Sequence, residues 1–171
     1  MIKTTTDLLP KAKNRPGTAI SVKYITIHNT GNATQGANAA FHARYLKTST
    51  AINAPVSWHY TVDESNIYQH LPDNELGWHA GDGTRVPGGN TQSIGIEICM
   101  NSDGNLLRAT DNAAWLTASL CKKHNIPMEN IVQHFRWTQK NCPQMLRSGK
   151  PYVWGVFLDK VRGFLESASE T

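Results

Sequence analysis

The segment QHFRWTQKNCPQM, residues 133–145, carries His134 and Cys142 eight positions apart, with Lys140 just before the cysteine and Pro143 just after it. An imidazole and a thiolate in one loop are donors that suit zinc, and His28, closing the run VKYITIH, offers a third. Three protein ligands leave a fourth position for water, the pattern of a catalytic zinc. Taken singly, each histidine reads as well as a hydrogen-bonded core residue. Glu97 stands in IGIEICM, where every alternate position is isoleucine. A zinc hydrolase needs a carboxylate to move a proton and a cation or donor beside the developing oxyanion. Glu97 and Lys140 are of the right types for those roles, although either alone also reads as a solvated charge.

Elements must bring these residues together. Residues 22–28 alternate as a strand, with Ile25 and Ile27 on one face and Tyr24, Thr26 and His28 on the other. The recurrence of Ala37, Phe41 and Tyr45 predicts a helix over 35–47. VSWHYTV (56–62) and NIYQHL (66–71), joined by DES, predict a hairpin. A glycine-rich loop fills 77–93, and 94–100 is a strand with Glu97 and Cys99 opposite its isoleucines. A helix is expected over 111–124, capped by Thr110 or Asp111 and ended by Asn125 and Pro127. NIVQH is a short strand leading into the 133–145 loop, and Pro151 opens a last helix striped by Trp154, Phe157, Leu158, Val161, Phe164 and Leu165. Strands and helices mix without strict alternation. The fold class is therefore α/β, a single central mixed β-sheet flanked by α-helices.

Composition sets the bounds. A chain of 171 residues with 39% hydrophobic and 18% charged content is an ordinary globule, expected as one domain over 1–171. No apolar run reaches the ~20 residues of a spanning helix, and MIKTTTDLLPKAKNRPG holds no signal-peptide segment. The net charge of +4 and pI of about 9.0 suit an anionic polymer, but the basic residues are scattered, which argues against a nucleic-acid surface. Cys99, Cys121 and Cys142 are odd in number and widely spaced, so a disulfide framework is not expected. Cys99 and Cys121 read as small buried apolar residues.

The segments YITIHNTGN, SWHYTVDE, GWHAGDG, SIGIEICMN and HFRWTQKNCP together resemble the type 2 N-acetylmuramoyl-L-alanine amidases, particularly the catalytic domains of prophage lysins. The peptidoglycan recognition proteins share that fold, and the resemblance covers about residues 20–165, which it implies to be the core of the domain. The resemblance implies one zinc on His28, His134 and Cys142, with Glu97 as catalytic acid–base and Lys140 as oxyanion stabiliser. It implies peptidoglycan as substrate, cleaved between N-acetylmuramic acid and the L-alanine of the stem peptide. It also implies a monomer made in the host cytoplasm that reaches the wall after holin-type release. Some members carry a catalytic tyrosine where this chain has Trp58, and an indole cannot exchange protons, so Glu97 takes a larger share. Trp58, Trp78 and His79 are candidate substrate contacts; the alternative for each is plain packing. His42, His59 and His124 read as structural, and His70 is open. Two rival readings remain: a cytoplasmic amidase recycling wall fragments, and a non-catalytic peptidoglycan-binding module. The ending ESASET resembles the start of a linker to a wall-binding domain, so an isolated catalytic domain is expected.

Overall fold

The protein is described here by a computed structural model, which covers residues 2–167. In chain order its elements are strands β1 (Lys3–Thr6) and β2 (Tyr24–Asn29), helices α1 (Ala39–Tyr45) and α2 (Ser49–Ile52), and strands β3 (Tyr60–Val62) and β4 (Asn66–Gln69). Short helix α3 (Gly89–Gln92) precedes β5 (Ser93–Ile98), followed by the long helix α4 (Leu106–His124) and β6 (Ile131–Gln133). Helices α5 (Phe135–Thr138), α6 (Gln144–Arg147) and α7 (Trp154–Ser167) complete the order.

The strands form one mixed sheet in the order β1-β4-β3-β5-β2-β6. Only β3 and β4 pair antiparallel, as the hairpin signal predicts; β5, β2 and β6 run parallel at the other side. Central parallel strands are covered on both faces, so they favour unbroken β-branched runs. Ile25 and Ile27 of β2 and Ile94, Ile96 and Ile98 of β5 are all fully buried, each contributing about 2 kcal/mol of hydrophobic stabilisation. Helix α4 lays Ala109, Ala113, Leu116 and Leu120 on this core, and α7 adds Phe157 and Val161. A second small cluster joins Leu9, Leu46, Trp58 and Leu71 near the hairpin.

Several boundaries differ from the sequence reading. Strand β1 was not expected: KTTT is polar and three of its four residues are exposed, so it has no hydrophobic signature, yet it pairs along the whole of β4. Helix α1 is shorter than 35–47, and its expected stripe is out of phase. Phe41 and Tyr45 are exposed, while Ala39, His42 and Ala43 face inward. His42, read as structural, is buried, and its Nδ1–H donates to the Asn38 carbonyl (2.9 Å), which lets a polar ring take a core position. Helix α4 starts five residues before the expected 111, capped by Asn105, whose side chain accepts from the Arg108 N–H. Thr110 Oγ donates back to the Leu106 carbonyl within the helix (2.7 Å) instead of capping it. Asn125 closes α4 in the left-handed conformation, as expected. Helix α7 begins at Trp154 rather than at Pro151. The last residues of ESASET, 168–171, lie outside the described residues.

Candidate metal and catalytic site

The parallel register does the first part of the assembly. His28 of β2 lies directly opposite Glu97 of β5, near the C-terminal ends of both strands. β6 pairs with β2 through Ile27↔Gln133, which delivers His134 one residue beyond the same edge. Ligand sites of open α/β sheets sit outside that end of the strands. The chain then makes one helical turn, α5, and Gln139 reverses it in the left-handed conformation (φ 61). Phe135 N–H donates to the Cys142 carbonyl (3.1 Å), closing the loop and returning the thiol to His134.

One donor atom each from His28, His134 and Cys142 lies within 4.8 Å of the others, and all three side chains are buried. His28 Nδ1 and Cys142 Sγ stand 3.6 Å apart. Two tetrahedral zinc ligands at ordinary N and S bond lengths would be separated by about 3.5 Å. His134 Nδ1 is buried without any hydrogen-bond partner, while its Nε2–H donates to the Ala80 carbonyl (2.9 Å). A buried imidazole nitrogen with no hydrogen-bond partner, beside a thiol, has a lone pair free to bind a cation. Burial, reinforced by neighbouring imidazoles and Lys140, holds His28 well below the usual histidine range, and burial followed by Lys140 lowers His134 as well. Both rings are therefore neutral, as metal ligation requires. Burial and the Glu97 charge push the Cys142 thiol up to about 12. A bound cation reverses that preference, because a coordinating thiol is deprotonated outright. The donor set fits zinc.

Glu97 borders this cluster. Its Oε1 is 3.9 Å from His28 Nδ1, and its Oε2 is buried with no hydrogen-bond partner. Burial pushes its carboxyl up to about 8, against the opposing pull of Lys140. Two clefts open onto the cluster. One, of about 320 Å³, is bounded by His28, His134 and Cys142 with Asn29, Asn141 and Gln144; the other, of about 610 Å³, runs past Trp58, Trp78, Gly81 and Thr138. Glu97 and Lys140 line both, and Glu97 is the sole carboxylate lining either one among the described residues.

The remaining sequence candidates fall into place around these clefts. Trp58 is almost fully buried, and its Nε1–H donates to Thr61 Oγ1 (2.6 Å), which anchors the indole where it lines the larger cleft. Trp78 lines the same cleft and is tied through Nε1 to the Lys13 carbonyl (3.1 Å). His79 borders both clefts, but its ring nitrogens are already engaged, Nδ1 with His28 Nε2 (3.0 Å) and Nε2 with the Ser93 carbonyl (3.3 Å). His59 is structural: it accepts from the Gly95 N–H (3.0 Å) and donates to the Glu75 carbonyl (2.8 Å). His70 Nε2 pairs with Thr61 Oγ1 (2.8 Å) beside Trp58, and its Nδ1 is buried without a hydrogen-bond partner. His124 joins Lys123 and Tyr60 around the buried Asp73, away from the site. Cys99 and Cys121 are buried free thiols. Sequence reasoning passed over Asn90, which receives the backbone N–H groups of both His79 and Ala80. Nothing in its local pattern marks it, since its hydrogen bonds go to backbone groups of the glycine-rich loop.

The profile of the N-acetylmuramoyl-L-alanine amidase family matches residues 17–145, which include every residue of the cluster. The chain belongs to this family. It is 48% identical over 162 residues to the N-acetylmuramoyl-L-alanine amidase CwlH of Bacillus subtilis (strain 168), covering 94% of this chain and 62% of that one. To XlyA of the same organism it is 52% identical over 147 residues, covering 85% and 48% of the two chains. This chain thus spans about half to three-fifths of the length of these two curated relatives. Among solved structures, the catalytic domain of XlyA superposes with a TM-score of 0.85 at 48% identity, covering 94% of this chain and 99% of that domain. The PlyG catalytic domain gives 0.81 at 32% identity, with 96% of each chain covered.

Proposed function

We propose that this chain hydrolyses the amide between the lactyl group of N-acetylmuramic acid and the L-alanine of the peptidoglycan stem peptide, with one zinc held by His28, His134 and Cys142. The convergence of those three donors beside Glu97 carries the reading. The relatives named amidase support it, as does the similarity to endolysin-type catalytic domains. Zinc, when bound, supplies Lewis-acid polarisation of the scissile carbonyl and activation of a water.

Glu97 takes one proton from the attacking water and delivers it to the departing alanine nitrogen, so the carboxylate is restored at each turnover. Its burial suits the task, because a carboxyl raised toward neutrality can both accept and return a proton. Lys140 places a cation where negative charge grows on the carbonyl oxygen. Trp58 and Trp78 offer flat apolar walls to the sugar and peptide in the larger cleft. The same reading has the chain act as a monomer on the bacterial wall, reaching it after holin-type release as a phage or prophage lysin does. No helix among the described residues is long and apolar enough to cross a membrane.

The chemistry of the site separates amide from glycosidic cleavage. Glycoside hydrolysis ordinarily uses two carboxylates flanking the scissile bond, and among the described residues only Glu97 lines these clefts. Digestion of purified peptidoglycan should expose new α-amino groups on L-alanine with no rise in reducing sugar ends. New amino groups deeper in the stem would make the enzyme an endopeptidase. New reducing ends would overturn the amidase reading, and wall binding without any cleavage would favour a recognition module.

A further inference from the structure

His79 and Ala80 are consecutive in the glycine-rich loop, and each meets the outer nitrogen of a different imidazole in the cluster. His28 Nε2 is 3.0 Å from His79 Nδ1, and His134 Nε2 is 2.9 Å from the Ala80 carbonyl oxygen. A carbonyl can only accept, so His134 carries its hydrogen on Nε2 and presents a bare Nδ1. The other chain of bonds resolves in the same way from its far end. His79 Nε2 lies 3.3 Å from the Ser93 carbonyl oxygen, so that nitrogen bears the hydrogen. A neutral ring then has a bare Nδ1, which must accept from His28 Nε2–H. His28 is left with a lone pair on Nδ1, and that atom faces Cys142 Sγ at 3.6 Å. Charged alternatives would bury an imidazolium with no carboxylate at hydrogen-bond distance, the nearest being Glu97 Oε1 at 3.9 Å from His28 Nδ1, at a large desolvation cost. Two adjacent loop residues thus set both rings to the same tautomer, with both Nδ1 atoms aimed inward.

The loop is itself held in place. Asn90 Oδ1 accepts from the backbone N–H of His79 (2.9 Å) and of Ala80 (2.7 Å), so one side chain fixes both. Asn90 Nδ2 donates to the Gly83 carbonyl (3.0 Å), and the Gly89 N–H and Asn90 N–H donate to Asp82. Gly95 of β5 completes the seat: a Cβ there would lie 2.7 Å from His79 Cγ, so the imidazole rests directly on the strand backbone. With both ring nitrogens bonded and one face closed, His79 has no hydrogen-bonding capacity left for a substrate. Its bonds point to the metal instead.

We propose that His79 and the Ala80 carbonyl, clipped by Asn90, form the orienting shell of the metal site and fix His28 and His134 as Nδ1 ligands. They are positioning residues, and the assignment rests on the zinc reading given above. Outer partners of this kind typically raise metal affinity 10–100-fold by fixing the tautomer and ring orientation of a ligand.

The test is the zinc dissociation constant of the whole chain, measured by competition with a chromogenic chelator. His79→Phe keeps a flat ring but offers no acceptor, and it should weaken zinc binding about 10–100-fold. His79→Asn, whose Oδ1 occupies the place of Nδ1, should recover most of that loss. Asn90→Ala should also weaken zinc while leaving Glu97 and Lys140 untouched. Zinc affinity in His79→Phe within about twofold of the parent would overturn the proposal, as would equal losses in the Phe and Asn variants. A parent chain that binds no zinc at all would overturn the metal reading together with this one. Should His79→Phe fail to fold, long-range ¹H–¹⁵N correlation on the unsubstituted protein decides. It should show the Nε2–H tautomer at His28, His79 and His134, and an Nδ1–H signal from His79 would refute the arrangement.

Discussion

Glu97 and His28 are register partners on adjacent parallel strands, and Glu97 Oε1 lies 3.9 Å from His28 Nδ1. The carboxylate therefore reaches the His28–His134–Cys142 cluster without belonging to it, and its second oxygen is buried and unpartnered. Glu97→Gln preserves shape and removes the proton acceptor. It should keep one zinc per chain and the parent unfolding midpoint, while kcat falls ~10²-fold or more, the usual scale for a positioned base. Metal analysis beside steady-state kinetics checks this. Parent-like turnover would take Glu97 out of the mechanism.

Cys142 tests the metal from the other side. It is the only thiol in the cluster, and its Sγ faces His28 Nδ1. Cys142→Ala should lower zinc affinity by more than the ~10–100-fold that losing an outer partner costs, and activity should fall with it. Elemental analysis of protein purified without added metal gives the answer. A Cys142→Ala variant with full zinc and full activity would contradict the assigned ligand set.

Two of the candidate site residues, His28 and Glu97, stood out because of the strands that carry them. His28 and Glu97 each sit in an isoleucine-rich run, and a polar residue in such a run must be satisfied or functional. The order of the motifs also implied the mixed sheet and its hairpin. What stayed hidden was structure that depends on partners far along the chain. KTTT becomes a strand only because β4 offers it an edge. The phase of α1 was lost because His42 is buried through a hydrogen bond, not through hydrophobicity. Asn90 was invisible for a similar reason, as its contacts are backbone N–H groups ten and eleven residues away.

Stability should fall as the solution is acidified below the ordinary histidine range. Burial lowers His59 to about 4 and His70 to about 3, in His70's case against the pull of Asp7. An unfolded chain protonates those rings near pH 6.5, while the folded chain does not until far lower. The unfolded state thus binds more protons between about 6.5 and 4, so stability is full above that window and declines as pH drops through it. Urea midpoints of metal-free protein between pH 7.5 and 4.5, values of about the histidine range and below it, would show the slope. A flat profile would mean that these rings are protonated in the fold. Asp73 adds to the loss further down: although burial opposes it, bonds from Lys123, Tyr60 and His124 hold its carboxyl below the usual range.

Lys140 touches both proposed roles of the site, so its removal should leave two signatures. As a cation lining both clefts it stabilises charge growing on the carbonyl oxygen, and Lys140→Met should cost about 10²–10³-fold in kcat with zinc retained. Lys140 also opposes the burial that raises Glu97, pulling that carboxyl down. Without the cation the carboxyl binds its proton more tightly. The acid limb of the pH–rate profile, below which Glu97 is protonated and cannot act as base, should therefore move toward alkaline pH. The direction does not depend on the charge of the metal cluster, which is common to parent and variant. Lys140→Arg separates the two effects. It retains the charge, so the acid limb should stay near the parent position even if the longer, planar head group fits the oxyanion poorly and kcat is reduced. A Lys140→Met enzyme with an unshifted limb would show that the lysine does not act on Glu97, and one with parent kcat would remove it from oxyanion stabilisation as well.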